Sequence, residues 1–334
     1  MSDFWKGRRV FVARPGTFRG SWLCKFLIEH GAQVFAFGPP PKTNPNFFDL
    51  ENISGRASVV FGDLRDRQAL ADTLQFAEAE VVFHLGESPR FDEVDSAPVQ
   101  YISDEIIGAA NLLECLRDTA TVRGVVIESS DRVYLSGSTP GQVSESAAVG
   151  PDKIPATTKL CVELIAQAFQ QQYFSPEKFN KHKVAISIAR MGPGTGYGDF
   201  SEEGLLYQAA FSWHQGKVFE ILKPHSVRGW TDIRDQVEGL AVIAKALLEQ
   251  GPKLAGIYNI PEKEDRAVGG LVSEFASFWG AQDLLKLPSE ETRKGSSYHR
   301  QLSGTLMTEK LGWAPQRSMS GTLKDMVDWY QKYL

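Results

Sequence analysis

Arg14-Pro15-Gly16-Thr17-Phe18-Arg19-Gly20 joins a short β-branched run, Val10 to Val12, to a helical pattern through Trp22, Leu23, Phe26 and Leu27. A strand, turn and helix in that order present free N–H groups at a helix N-terminus, which attract an anion, and Arg14 adds a cation suited to a phosphate. A dinucleotide fingerprint needs glycine where the turn is tight, where backbone approaches the pyrophosphate and where helix packs on strand. This segment supplies only the third, Gly20, while Gly16 sits one place early and Arg14 and Thr17 bring side-chain bulk.

Farther along, Arg190, Arg228 and Trp230, with Arg234, are cationic and aromatic groups able to hold a nucleoside diphosphate by bidentate phosphate contact and stacking. A strand-edge ion pair with Asp232 or Asp235 is the alternative for Arg228. Glu87, Glu105, Asp131 and Lys159, with the hydroxyls of Ser129 and Ser130, are the residue types from which acid–base chemistry is built when neighbours hold their pKa values apart. Glu87, Glu105, Glu128 and Asp131 belong to separate strands and helices, and His182, His214, His225 and His299 show no ligand spacing with one another or with the cysteines, so no metal is expected. His84, inside an apolar strand, reads as a satisfied core histidine.

The elements that must position these groups alternate. Apolar strands at Val34 to Phe37, Ser58 to Phe61, Val81 to Leu85, Gly124 to Ile127 and Val184 to Ala189 are separated by helical stretches such as Ile102 to Leu116 and Ala156 to Gln171. That alternation predicts an α/β fold with a doubly wound, parallel, Rossmann-type sheet over residues 1–190. From 191 to 334 a smaller mixed region follows, with some chain crossing back: a glycine-rich loop, helices near Glu203 to His214, Val268 to Trp279 and Thr322 to Tyr333, and short strands near Lys217 to Leu222 and Ile257 to Ile260.

With 42% apolar residues in 334 the chain can bury a large core, which excludes disorder as its dominant state. A net charge of −5 without long blocks of one sign excludes a nucleic-acid footprint. No apolar run reaches the ~18 residues of a membrane span, and the polar start reads as no secretory leader. Three widely spaced cysteines, Cys24, Cys115 and Cys161, suit reduced thiols. A cytoplasmic protein is expected.

Short motifs recur along nearly the whole chain: Phe4-Trp5-Lys6-Gly7, Phe18-Arg19-Gly20-Ser21-Trp22-Leu23, Pro40-Pro41-Lys42-Thr43-Asn44-Pro45, Gly62-Asp63-Leu64-Arg65-Asp66, Val82-Phe83-His84-Leu85, Ser129-Ser130-Asp131-Arg132-Val133-Tyr134, Ala189-Arg190, Gly196 to Asp199, Arg228-Gly229-Trp230 and Lys310-Leu311-Gly312-Trp313. Together they resemble the extended short-chain dehydrogenase/reductases, and within them the CDP-glucose 4,6-dehydratases. The resemblance implies NAD or NADP in the first domain, with Asp63 joining Arg14, Gly16 and Gly20 around it, and a CDP-hexose on the second. It further implies oxidation, dehydration and reduction at one site, and a homodimer formed through the helices after strands four and five. On the same basis Ser129 binds the sugar 4-oxygen, Asp131 is the dehydration acid, and Arg228-Gly229-Trp230 is the diphosphate-contacting segment.

Against that pattern the chain departs at the chemistry. Arg14 and Thr17 stand where the family has glycine, Glu87 where it has a small or neutral residue, Glu105 where it has asparagine, Arg132 where it has lysine and Pro193 where it has asparagine. The tyrosine of the family's Tyr-x-x-x-Lys relay is Pro155, which leaves Lys159 alone. Arg14 and Glu87 are expected either to meet in the space of a dinucleotide or to point to solvent. Three readings follow. One is a cofactor-independent lyase, isomerase or cyclase of a sugar or natural-product pathway, using Glu87, Glu105, Asp131, Ser129 and Lys159. The second is an inactive binding or partner subunit, and the third a working NAD(P)-dependent dehydratase.

Overall fold

The computed structural model describes residues 2–86, 91–135, 142–288 and 301–334. Its centre is a seven-stranded sheet of β1 (Arg9–Ala13), β2 (Gln33–Gly38), β3 (Ser58–Phe61), β4 (Val81–His84), β5 (Gly124–Ser130), β6 (Ala185–Met191) and β7 (Ile257–Ile260). All pairs are parallel, and the order is β7-β6-β5-β4-β1-β2-β3. The expected doubly wound parallel sheet is thus present. The strand order reverses between β1 and β4, the place where such sheets open a crevice at their carboxyl ends.

Both faces are covered, which is why strands such as β1 and β4 read as continuous apolar runs. On one face α1 (Phe18–Glu29) and α5 (Ile233–Gln250) bury Trp22, Leu23, Leu27, Val237, Leu240 and Leu247. On the other, α2 (Arg67–Ala77), α3 (Pro98–Cys115) and α4 (Ile154–Gln172) bury a second core. Residues 191–334 are not separate from this layer: β7 extends the sheet beside β6, and α5 lies on it. A third apolar cluster joins the helices Leu205–His214, Val268–Trp279 and Met319–Tyr333. Beside it an antiparallel ribbon pairs Val227–Trp230 with Glu264–Ala267.

Helix boundaries follow local chemistry. α3 starts four residues before the expected Ile102, because Pro98 fits a first helical turn. Thr17 caps α1, its side chain accepting from Gly20 N–H at 3.0 Å. Gly20 must be glycine, since a Cβ there would lie 2.2 Å from the Arg14 carbonyl oxygen.

Charges are also buried where α4 meets β5 and β6. Glu163, fully buried, accepts from Arg190 Nε at 2.9 Å and Nη2 at 2.6 Å, and from Ser129 Oγ. The Arg190 guanidinium lies 4.7 Å from the Tyr134 ring centre, and Tyr134 O–H donates to Asn259 Oδ1 at 2.6 Å. Arg190 and Ser129, expected at the substrate, are turned into this network instead, because strand alternation points them at α4. Glu163→Ala strands the Arg190 charge and is expected to lower stability by ~3–5 kcal/mol, read by denaturant unfolding.

Candidate active site

β1 ends at Ala13, level with His84 at the end of β4, so the turn after β1 and the segment after β4 face each other across the crevice. Arg14 opens the turn with φ +64°, a left-handed backbone that costs an ordinary residue ~1–2 kcal/mol. Its N–H donates to Phe37 O at 2.8 Å, tying the turn to β2, and its side chain bends inward until only 3% is exposed. Nη2 donates to Asp104 O at 2.8 Å and lies 2.8 Å from Glu105 Oε1. The other carboxylate oxygen, Oε2, accepts from Lys159 Nζ at 2.7 Å.

Arg14, Glu105 and Lys159 therefore form one buried chain of charges from the turn, α3 and α4. It needs Gly86, because a Cβ there would lie 1.4 Å from Lys159 Nζ and 3.2 Å from Glu105 Oε2. Burial raises the Glu105 pKa, but Lys159 and Arg14 outweigh it and bring the carboxyl down to about 2. His84 stands beside them. Burial, then the Arg14 charge, brings it down to about 3, so its imidazole is neutral. It is not the satisfied core histidine expected, since its Nδ1 finds no hydrogen-bond partner among the described residues. Glu87 lies outside the described residues, so the expected meeting of Arg14 and Glu87 finds no test there; Glu105 is a partner that pairing did not foresee.

Two further arrangements flank this chain. Arg19 bridges Glu128 on β5, Gly192 O at 3.1 Å and Gln236 Oε1 at 2.9 Å, while Glu128 Oε2 accepts from Gly86 N–H at 3.0 Å. At the ends of β1 to β3 a cavity of about 400 Å³ is lined by Arg14, Lys42, Phe61, Asp63 and Asp104 among others. Asp63 is held low chiefly by the Arg65 side chain. Gly16 packs against the Pro39–Pro41 backbone, where a Cβ would lie 2.8 Å from Pro41 N.

On the other side Asp131 follows β5, its Oδ1 accepting from Ser130 Oγ at 3.0 Å. Trp230 donates its indole N–H to Arg266 O at 3.1 Å, and Arg228 is exposed on the same ribbon. Arg234 pairs with Asp232 and Asp325. The sequence-predicted residues thus fall into four places. Arg14, Glu105 and Lys159 come together; Ser130 and Asp131 stand at the mouth of β5 and Arg228 and Trp230 on the ribbon; Ser129 and Arg190 lie beneath. Glu163 was missed, and Glu128 and Arg19, named for other reasons, were not read as partners. A charge inside the apolar run Leu160 to Ala166 was the one signal for Glu163.

These residues do not fit a dinucleotide laid across the turn in the usual way. Arg14 closes on Glu105 at 2.8 Å where a pyrophosphate would approach, Thr17 occupies the Gly20 N–H at the helix start, and Lys159 fills the space over Gly86.

The model of the NAD dependent epimerase/dehydratase family matches residues 16–260, and the chain belongs to that family. It is 28% identical to the CDP-glucose 4,6-dehydratase of Salmonella typhimurium over 334 residues, covering 99% of this chain and 93% of that one. Its fold is similar to UDP-glucose 4-epimerase from Thermotoga maritima with UDP-glucose, at TM-score 0.80 and 21% identity over 97% of this chain and 99% of that one. It is similar too to the UDP-glucose-4-epimerase of Stenotrophomonas maltophila with bound NAD and formylated UDP-arabinopyranose, at TM-score 0.82 and 19% identity over 98% of each chain. No helix among the described residues is long and apolar enough to cross a membrane.

The pH dependence of Glu105 has a definite sign. Its folded pKa of about 2 lies below the ordinary ~4.3 of a glutamate, so its stabilisation is complete above the ordinary value and fades as pH falls toward 2. Glu105→Gln is expected to cost ~3–5 kcal/mol at neutral pH by leaving two buried cations, and to flatten the acid limb of stability. Guanidinium unfolding at pH 7, 4 and 3 reads both effects.

Proposed function

We propose that this chain handles a nucleotide sugar by redox-neutral chemistry, as a lyase or isomerase that passes no hydride to a bound NAD or NADP. The observation that carries the reading is Glu105 closed between Arg14 and Lys159, at 2.8 and 2.7 Å. In a Tyr-Lys relay the lysine ammonium serves a phenol. Here Lys159 serves a carboxylate, and Pro155 opens the first turn of α4 with no group to titrate. The nucleotide sugar comes from kinship with a CDP-glucose dehydratase and from the exposed Arg228 and the Trp230 ring on the ribbon. In this reading Arg228 and Trp230, within residues 191–334, hold the nucleotide.

Calorimetric titration is expected to show binding of CDP-glucose and none of NAD or NADP at micromolar concentration. The triple variant Arg14→Gly, Thr17→Gly, Glu105→Asn is expected to gain dinucleotide binding. A dinucleotide released from the denatured wild type, or bound by it at micromolar Kd, overturns the reading.

A second copy of the chain is the proposed partner, through α3 and α4. These helices expose Val99, Ile107, Ile154 and Leu164, with Val99 at 77% and Leu164 at 55%, apolar surface of the kind that interfaces cover. Ile107→Glu with Leu164→Glu is expected to convert a dimer to a folded monomer in sedimentation; an unchanged mass rejects this surface.

A further inference from the structure

Glu262, two residues beyond β7, belongs to no motif read from the sequence, yet it faces Asp131. A Cβ on Gly192, at the end of β6, would lie 3.6 Å from Glu262 Oε1 and 3.9 Å from both Cγ and Oδ2 of Asp131. The two carboxyl groups thus converge over the one residue between them that has no side chain. Each is held from behind: Glu262 Oε2 accepts from Leu302 N–H at 2.9 Å, and Asp131 Oδ1 from Ser130 Oγ.

The nucleotide-binding ribbon is adjacent. Thr231, directly after Trp230, brackets Glu262 by accepting Lys263 N–H at 3.2 Å and donating to Pro261 O at 3.4 Å. Glu262 also lines a cavity of about 500 Å³ with Gln142, Lys263, Gln301 and Thr305. Burial, with the Asp131 charge adding, raises the Glu262 carboxyl to about 7 against the Leu302 N–H. A carboxylic acid and a carboxylate side by side are the usual outcome when two such groups share a site.

We propose that Asp131 and Glu262 are the acid–base pair of this site and that its substrate is a nucleotide-linked sugar already carrying a carbonyl group. The proposal rests on the redox-neutral reading above. Without a hydride acceptor, a sugar C–H flanked only by hydroxyl carbons is not acidic enough for a carboxylate, whereas a C–H beside a carbonyl is. One carboxylate takes that proton, and the C–H electron pair moves onto the carbonyl oxygen as an enolate. The neutral partner then returns a proton to carbon, which isomerises the sugar with no net change in atoms. If it instead protonates a hydroxyl β to the carbonyl, the C–O bond breaks, a C=C bond forms and water leaves. Such a substrate must come from a reaction that oxidises a ring carbon, and 4,6-dehydration does so at C4 while reducing C6 and releasing water, with no net change of oxidation state.

The test incubates the full chain in D₂O with CDP-4-keto-6-deoxyglucose, the sugar a CDP-glucose 4,6-dehydratase makes, and follows deuterium at C3 and C5 by NMR against a protein-free control. The wild type is expected to accelerate exchange. Asp131→Asn and Glu262→Gln, which keeps an oxygen for Leu302 N–H, are each expected to slow it at least about 10²-fold with the Kd for the sugar nucleotide little changed. Exchange by Glu262→Gln at the wild-type rate overturns the pair. Wild-type binding without exchange, or no binding, overturns the substrate class. Dinucleotide titration of the same samples separates these failures from failure of the redox-neutral reading.

Discussion

A carboxylate held between two cations away from water cannot lose one neighbour without leaving the others uncompensated. In that sense Glu105 organises the crevice of this protein. It is 1% exposed and joins the β1 turn, through Arg14, to α4, through Lys159. The bare Gly86 makes room for that arrangement, and burial with the Arg14 charge keeps the neighbouring His84 neutral. A turn that in other Rossmann folds meets an anion from outside here meets one supplied by its own chain. The helix N-terminus after it is likewise satisfied from within, by Thr17.

The second buried charge centre, Glu163 with Arg190 and Ser129, follows the same rule on the other side of β5. Successive strand residues point to opposite sides, so Ser129 turns to α4 while Ser130 and Asp131 reach the mouth of the crevice. Framework and chemistry are thereby separated by one residue. Arg19 with Glu128 and Gln236 closes the remaining gap between α1, β5 and α5. Cavities remain beside Glu262 and at the ends of β1 to β3.

Much of the fold was legible because its signals are local. Apolar runs in β1, β2, β4 and β5 reflect a sheet covered on both faces, and Pro155 and Gly20 mark a helix start and a close crossing, whereas the helix start at Pro98 was not read. The ribbon Val227–Trp230 with Glu264–Ala267 was not read, since it is short, half exposed and paired across more than thirty residues. Of the site, the unusual residue types were legible: Arg14, Glu105 and Lys159 stand out by type and motif position alone. Their mutual pairing was not, and neither was Glu262, a single glutamate after a short strand.

The alternation of strands and helices, the absence of the relay tyrosine and the presence of a charge where a glycine turn is usual can all be read along the chain. Those are properties of residue type and near-neighbour spacing. Which charges meet is settled in three dimensions. Arg14 and Glu105 are 91 positions apart, and Glu105 and Lys159 54. Burial, not spacing, selects among them, because a charge removed from water must end beside whichever opposite charge the packing of sheet and helices brings within reach.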